Sequence, residues 1–519
     1  MNGTAPGPHK EIEVKLELAP ASLRDFKMIP LLRTVTPVGK GENQVSVYFD
    51  TENQKLRKKG LTLRVRRQGR HYRQTIKAAL NSGSIERDEW ETEIPGKRPD
   101  LDQADGTALE PYLTGKLRRR LKPLFETRVN RTVYPLVANG HAIALTLDRG
   151  TIETGKRSLP LCEIELELKR GTAAELFDVA RALTQSLPAQ LAVKSKSDRG
   201  YELIDGEQER PVKAASVALL PGAPARQAFR IVGLACLKQI VNNDGALNKG
   251  DFEGVHQMRV GLRRLRAAMS LFSALLGDSQ TASIKKELKW LAGELGPARE
   301  LDVLVSRVVA PVRRQRRRWR GMPSLSQEIA ERRHAALARA QAAVQSARFR
   351  SLTLEVAAWL ETGAWTKPQD ELTRDRGDLP IEAFAFEQLA RRWRKVRKKG
   401  SVVAKLGARS RHKLRIQTKK LRYAAEFFAS LFRTKRAVKR RKQFLAALER
   451  LQDALGDLND IAVHEKCIAA MGVRRRRSNA SRVFAAGLLT GREDARKDTA
   501  LETAAAAYAE LAKVKRFWR

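Results

Sequence analysis

The first two hundred residues alternate polar and apolar positions in short runs. The runs 11–18, 44–50, 61–67, 73–78, 87–94, 142–148 and 162–169 each repeat with a period near two, the mark of a β-strand with two unlike faces. Helical stretches are expected near 21–32, 108–121 and 173–187. After about Arg226 the period lengthens to that of a helix, in long segments rich in Ala, Leu and Arg. Between the two regions, 206–225 carries Pro211, Pro221 and Pro224 and reads as a linker. The expected organisation is a β-rich domain over 1–205, a linker over 206–225 and an all-α domain over 226–519.

The polar faces of the strands are unusual. Glu11, Glu13 and Lys15 share one face of the first run. Thr62, Arg64 and Arg66 share another, as do Arg73, Thr75 and Lys77, then Arg87, Glu89 and Glu91. Glu163, Glu165 and Glu167 line one face of a single strand. One such strand is ordinarily the solvated side of a sheet. Several together need another reason, because stacked like charges repel. A closed antiparallel barrel with a charged, water-filled interior supplies one, its apolar exterior covered by the intervening helices.

Carboxylates in that interior can hold a hard divalent cation, Mg²⁺ or Mn²⁺. Arg and Lys on neighbouring strands can grip phosphate oxygens. Such a site transfers phosphoryl groups without a nucleophilic side chain, the metal bridging terminal phosphates and orienting water. No Walker A motif occurs, which excludes nucleotide binding of the P-loop kind.

Composition narrows the partners. The chain has 519 residues, which implies more than one domain. Its 100 Lys and Arg against 58 Asp and Glu give a net charge of +42, which solicits polyanions. A hydrophobic content of 42% excludes a disordered chain. Cys162, Cys236 and Cys467 stand far apart, which argues against a disulfide framework or zinc site and fits a reducing, cytoplasmic setting. The polar first residues and the lack of a long apolar run predict neither a secretory signal nor a membrane span.

The helical half contains a duplication. The segment from His256 and the segment from His412 align without a gap. Arg259 matches Arg415, Val260 Ile416, Arg263 Lys419, Arg264 Lys420, Leu265 Leu421, Arg266 Arg422 and Phe272 Phe428. Related Leu-Gly helices follow, around Gly296 and Gly456. Two helical bundles are expected, about 226–365 and 381–519, split by a loop over 363–380. On a helix, His256, Arg259, Arg263 and Arg266 fall within an arc of about 80°. Met258, Leu262, Leu265, Met269 and Phe272 form a separate apolar stripe. A charge run is usually a solvated face. Here, however, the basic positions persist between two diverged copies, with little acid nearby. The two faces are expected to line one groove. Each His either positions an Arg or meets the ligand. The run 474–477 reads as a solvated loop with generic charge.

These residues carry two resemblances. Glu11-x-Glu13-x-Lys15 is similar to the ExExK signature of CYTH proteins, the triphosphate tunnel metalloenzymes. The other motifs follow in order: Tyr48 to Thr51, Leu63 to Arg66, Lys77, Arg87-x-Glu89, Arg128-x-x-Arg131, Asp148, Glu163 to Glu167 and Lys196-x-x-Arg199-Gly-Tyr. The resemblance implies an eight-stranded antiparallel tunnel that hydrolyses triphosphates. It implies metal binding at Glu11, Glu13, Glu163 and Glu165, with Asp148 and Glu167 as further members. It implies phosphate binding at Lys15, Arg64, Arg66, Lys77, Arg131 and Lys196, and Glu89 joins this catalytic set. Asp50 is expected to serve a turn or a cationic partner.

From about residue 225 onward the chain resembles the CHAD domain, named for conserved histidines on α-helices. That resemblance implies binding of inorganic polyphosphate without catalysis. The binding residues would be His256, Arg259, Arg263 and Arg266 in one copy and His412, Arg415, Lys419, Lys420 and Arg422 in the other. Arg299-Glu300-Leu-Asp302 departs from the family's usual Arg-Asp.

The fold class expected is thus an eight-stranded antiparallel β-barrel tunnel of α+β type, followed by an all-α domain of two duplicated bundles. The function expected is hydrolysis of inorganic triphosphate or short polyphosphate by a cytoplasmic enzyme tethered to polyphosphate, including its granules. Three alternatives stand beside it. One is a nucleic-acid binder, disfavoured because the basic faces are poor in stacking aromatics, Tyr423 excepted. Another is a catalytically silent polyanion scaffold. The last is another CYTH chemistry, such as nucleotide cyclisation or thiamine triphosphate hydrolysis.

Overall fold

The structure, a computed structural model, describes residues 9–78, 86–138, 140–206, 209–315, 321–368, 370–472 and 480–518. The basic run 474–477 lies outside the described residues. The chain divides into two compact units. The first comprises Met1–Val212 with Leu237–Gly245 and Val344–Thr366, and the second comprises Lys213–Cys236, Ala246–Ala343 and Lys367–Arg519.

The first unit is built on nine antiparallel strands. They are β1 (His9–Glu17), β2 (Val38–Asp50), β3 (Leu61–Gln68), β4 (His71–Ala78), β5 (Glu86–Ile94), β6 (Lys122–Ala138), β7 (His141–Thr154), β8 (Arg157–Arg170) and β9 (Gln190–Ala192). The order is β5-β4-β3-β2-β6-β7-β8-β1-β9, and β5 also pairs with β1. Eight strands therefore close on themselves, and the count of eight is corrected to nine by β9. This three-residue strand adds to β1, with Gln190 opposite Glu17. A segment that short has no period to read. Strand β6, marked by Pro123 and Pro135, also lacked clean alternation yet runs seventeen residues.

Closure sorts the residues by face. Leu61, Leu63 and Val65 of β3 and Ile76 of β4 point outward and bury against Leu109 and Leu117. The alternating residues of the same strands point inward. The helix expected near 21–32 is instead two 3-10 segments, Pro20–Met28 and Pro30–Leu32. Pro30 lacks the amide that a continuous helix needs. The stretch 108–121 holds only a 3-10 turn, Glu110–Tyr112, and the single turn Gly115–Arg118 capped by Thr114. Helix Ala173–Ser186 forms as expected, with Thr172 and Glu175 making a capping box.

Two pieces of the helical half pack within this first unit. Helix Ala347–Thr362 lies against helix Ala173–Ser186, and Arg181 forks onto Glu355 at 2.6 and 3.1 Å. Gln190 donates to Asp244 at 2.8 Å, and the amide of Val212 to Asn243 at 2.8 Å.

The second unit is helical. Helix Phe252–Leu271, begun by Asp251 accepting from the Glu253 amide, packs against Ser279–Leu304 and against Ala408–Phe427. The matched residues Phe272 and Phe428 meet in the core, centroids 6.3 Å apart, and Phe384 stacks on Phe272 at 4.7 Å. The duplication thus has a shared core as well as a shared face. The span 363–380 is more ordered than a loop, with a 3-10 turn at Ala364–Thr366 and a helix at Glu371–Asp378. Before Ala225 the chain is extended, yet Val217 and Leu219 are buried and the Leu219 amide donates to Ser430 at 2.8 Å.

Candidate functional site: a charged tunnel and two basic helix faces

Cross-strand register builds the tunnel interior. Lys15 stands opposite Glu165, Asp148 opposite Glu163, Arg131 opposite Asp148, and Lys77 opposite Glu89. Lys15 Nζ reaches Glu165 at 2.5 Å and Glu13 at 3.2 Å. Lys77 is shared between Glu11 at 2.7 Å and Glu89 at 3.1 Å. Arg64 lies 3.4 Å from Glu89 and 3.7 Å from Glu91. Arg131 grips Asp148 through two nitrogens at 2.8 and 2.6 Å and reaches Glu165 at 2.8 Å.

Helix Lys196–Asp205 delivers one more cation from the side. Lys196 Nζ contacts Asp148 at 2.7 Å, Glu165 at 2.9 Å and also Glu163. The helix starts on a Ser195–Asp198 capping box and sits close to the barrel because Gly200 faces the ring of Phe125. Phe125 stacks on Tyr48 at 4.5 Å and meets Tyr201 at 5.3 Å. Tyr201 donates to Asp50 at 2.9 Å. Asp50 also accepts the amides of Thr51, Leu56 and Arg57, so it serves the turn and this helix.

The charges tune one another. Burial raises the pKa of Glu165, but Lys15, Lys196 and Arg131 hold it well below the usual carboxylate range. Burial pushes Glu163 up, Lys196 opposing and Glu165 adding to the rise. Burial opposes ionisation of Glu11 as well, yet Lys77 brings it down to about 2. Burial raises Glu89 despite Lys77. Arg66 differs from its neighbours. Burial, then Arg64 and Arg131, lower it to about 10, and its buried Nε has no hydrogen-bond partner among the described residues.

The structure therefore brings together Lys15, Arg64, Arg66, Lys77, Glu89, Arg131 and Lys196 with Glu11, Glu13, Asp148, Glu163 and Glu165. Within this set only Asp148, Glu163 and Glu165 present carboxylate oxygens within 4.8 Å of one another. Glu167 lies apart, paired with Lys169 at 2.6 Å. Arg128 pairs with Glu126 at 2.6 Å and Lys194 with Glu202 at 2.9 Å. Arg199 joins the set from the helix, 3.2 Å from Glu17 and 3.6 Å from Glu163. Its place three residues after Lys196 was the signal for it.

In the second unit, helices Phe252–Leu271 and Ala408–Phe427 bring their basic faces together. Arg259 donates to the Ala292 carbonyl at 3.0 Å. The Nε atoms of Arg259, Arg263 and Arg415 are buried without hydrogen-bond partners among the described residues. Burial, then Arg415 and Arg263, lower Lys419 to about 7. Burial also lowers Arg259 to about 10, with Arg263 adding. Lys420 donates to Ser270 at 3.0 Å and lies in the field of Arg392, Lys395 and Arg266. Arg266 is exposed.

The copies are not equivalent in detail. Arg422, the match of Arg266, is engaged by Glu426 at 2.8 Å and Glu449 at 3.5 Å. Burial and Arg299 push His256 down to about 4, so it is neutral at pH 7, while exposed His412 bonds Asn459 at 3.0 Å. The expectation of little nearby acid is corrected. Helix Lys435–Gly472 sets Glu449, Asp453, Asp457 and Asp460 on successive turns. Asp460 acts on Arg415 and Lys419, and Arg307 pairs with Asp457 at 2.8 Å. Tyr423, the aromatic on the basic face, is buried against Phe427.

Comparison with known proteins identifies both domains. The CYTH domain model matches residues 9–201 and the CHAD domain model residues 232–469. The chain is a CYTH domain followed by a CHAD domain. An inorganic triphosphatase from Haemophilus influenzae is 30% identical over 161 residues, 30% of this chain and 45% of its own length. The chain thus spans less than half of that relative. The crystal structure of the CHAD domain from the plant Ricinus communis is 27% identical with a TM-score of 0.50, covering 59% of this chain and 97% of that one. PptA from Streptomyces chartreusis is 16% identical with a TM-score of 0.43, covering 55% and 100%.

The CYTH tunnel suits a divalent metal. Its three clustered carboxylates offer the hard oxygen donors that Mg²⁺ or Mn²⁺ takes, and Glu163 Oε2 is buried without a hydrogen-bond partner among the described residues. Among the described residues no helix is long and apolar enough to cross a membrane.

Proposed function

We propose that the CYTH tunnel hydrolyses inorganic triphosphate or short polyphosphate with Mg²⁺ or Mn²⁺, and that the CHAD groove binds inorganic polyphosphate and holds the enzyme on it. Interleaved charge carries this reading: each tunnel carboxylate of the Asp148, Glu163 and Glu165 cluster touches Lys196, and Lys15 and Arg131 add to Glu165. Burying lone charges is costly, so the tunnel pairs them internally. A triphosphate carrying a divalent metal would suit both sets, the cations matching its phosphate oxygens and the carboxylates its metal.

Asp148, Glu163 and Glu165 would hold the metal, which when bound would offset phosphate charge and make the phosphorus easier to attack. Lys15, Arg131 and Lys196 then turn from the carboxylates to phosphate oxygens. Arg66, without a hydrogen-bonding carboxylate, takes a phosphate at no such exchange. Water attacks the terminal phosphorus and the bridging P–O bond breaks, leaving pyrophosphate whose charge Arg64 and Lys77 stabilise. Glu89, raised by burial yet held by Lys77 and Arg64, keeps those two cations in place beside the leaving pyrophosphate, and the proton that water gives up passes to the released phosphate.

For the groove, Tyr423, the aromatic on the basic faces, is buried and so not open to stacking, which favours a phosphate polymer over single-stranded nucleic acid. The protein would work in the cytoplasm, at polyphosphate granules where these occur. A phosphate-release panel tests the reading. Triphosphate should turn over fastest, ahead of tetraphosphate, ATP and long polyphosphate, and EDTA should stop it. Faster release from ATP than from triphosphate would sink the assignment.

A further inference from the structure

We propose a second anion site on the helical unit, away from the groove, that takes a short oligophosphate. It is an open cavity of about 340 Å³ lined by Trp393, Arg397, Arg440, Lys513, Lys515 and Arg516. No carboxylate among the described residues lines it. Trp393 and Arg397 lie one turn apart on helix Ile381–Gly400. The same helix turns Arg392 toward the groove helices, where it donates to the Ser270 carbonyl at 2.9 Å. Trp393 instead meets Phe444 edge-on at 5.7 Å.

The cations are held in place. After helix Lys497–Lys513 the chain is pinned by Phe517 and Trp518, both buried. Phe517 packs on Phe432 at 5.0 Å, and Trp518 on Phe444 at 5.0 Å. Lys515 and Arg516 therefore sit on fixed backbone beside Arg397 and Arg440.

Helix dipoles account for only part of this charge. Arg397 and Lys513 lie in the last turns of their helices, where cations are favoured. Arg440 lies near the beginning of helix Lys435–Gly472, in a basic stretch at the end that favours anions. A bound anion would reconcile that stretch with its helix. The size sets the ligand class. The cavity has room for on the order of ten waters, several times one phosphate group, and five cations outweigh a single phosphate. Three or four linked phosphoryl groups match both.

Two sources share this chemistry, an inorganic oligophosphate and a nucleoside triphosphate stacked on Trp393. Equilibrium dialysis in EDTA would count triphosphate bound to the full chain and to Arg440→Gln/Lys513→Gln/Lys515→Gln. The triple variant should bind one equivalent fewer, with unchanged triphosphate turnover in Mg²⁺ and unchanged retention on long polyphosphate. Lys515→Gln alone, at an exposed position, should weaken that equivalent at least tenfold, so misfolding of the triple variant leaves the test standing. ATP binding as triphosphate does points to the inorganic source. ATP binding tenfold tighter, with the gain lost in Trp393→Leu, points to the nucleotide. Equal stoichiometry in wild type and both variants would overturn the proposal. An inactive tunnel would not, because the count requires no turnover.

Discussion

Glu165 lies between Lys15 and Arg131, 2.5 Å from the first and 2.8 Å from the second, with Lys196 at 2.9 Å. One carboxylate thus holds three cations in place before any ligand arrives. Glu165→Gln should keep the barrel but release that arrangement. Turnover of triphosphate should fall by about 100-fold or more, and Mn²⁺ affinity, read by electron paramagnetic resonance, by at least about tenfold. Near wild-type values for both would remove Glu165 from the site.

Gly200 offers a test of positioning. A Cβ there would lie 2.1 Å from the Phe125 ring, so an alanine must push helix Lys196–Asp205 outward. The helix carries Lys196, and a small outward shift breaks its contacts with the carboxylate cluster. Gly200→Ala should cost about 1–3 kcal/mol of stability, as overpacking does, and lower kcat more than it raises KM. A variant with lowered Tm and unaltered kcat would mean the helix only closes the barrel.

Much of this was legible in the sequence, and the reason is geometric. Period-two alternation assigns faces, so Glu11, Lys15, Arg64, Lys77 and Glu165 could be placed on charged strand faces from the sequence, whereas Arg131 on the irregular β6 and Lys196 on a helix came only through the family resemblance. Register could not be read, because no local pattern says that Asp148 faces Glu163 or that Arg131 forks onto Asp148. The acidic row from Glu449 to Asp460 was hidden for a similar reason. It lies on the Leu-Gly helix around Gly456, well after the basic helix in sequence, and reaches Arg422 and Arg415 only through tertiary packing.

Unit boundaries follow packing as well as composition. Residues 344–366 follow the change to helical composition, yet they belong to the barrel unit through Arg181–Glu355 and the packing of Ala347–Thr362 on Ala173–Ser186. A fragment of residues 1–212 should therefore melt at lower temperature than the barrel in the full chain. Differential scanning calorimetry of both would read it. Identical melting of fragment and intact barrel would show that the helix contributes nothing.

Lys419 should make the proposed groove sensitive to pH. Burial, Arg415 and Arg263 lower its pKa to about 7, with Asp460 opposing and Arg422 adding. The sign for folding is that of a depressed lysine. Between about 7 and the ordinary lysine value the unfolded chain binds the extra proton, so stability rises with pH across that window. The sign for ligand is opposite. A polyanion favours charged Lys419, so polyphosphate affinity should rise as pH falls from 8 to 6. Lys419→Arg should flatten the profile, since arginine stays charged. An unchanged slope in that variant would assign the pH effect elsewhere.

The convergence of Arg263 on Arg415 and Lys419 leads to the most demanding test of the groove. If one polyanion spans both helices, Arg263→Glu should cost much of the affinity for long polyphosphate. Arg263→Glu with Arg415→Glu should cost nearly all of it. Arg266 is exposed, and Arg422 is already engaged by Glu426 and Glu449, so reversing either should cost less. Wild-type affinity should fall steeply with salt, because each neutralised phosphate releases condensed counterions, a rule taken over from nucleic acids. The double variant should show a shallower slope by about two contacts. Duplex DNA at matched phosphate concentration should compete poorly, since a duplex is too wide and stiff to lie between two packed helices. Filter retention of labelled polyphosphate across a salt series would separate the outcomes. Equal losses from Arg263 and Arg266, or DNA competing as well as polyphosphate, would mean that the charge of +42 binds polyanions without a built groove.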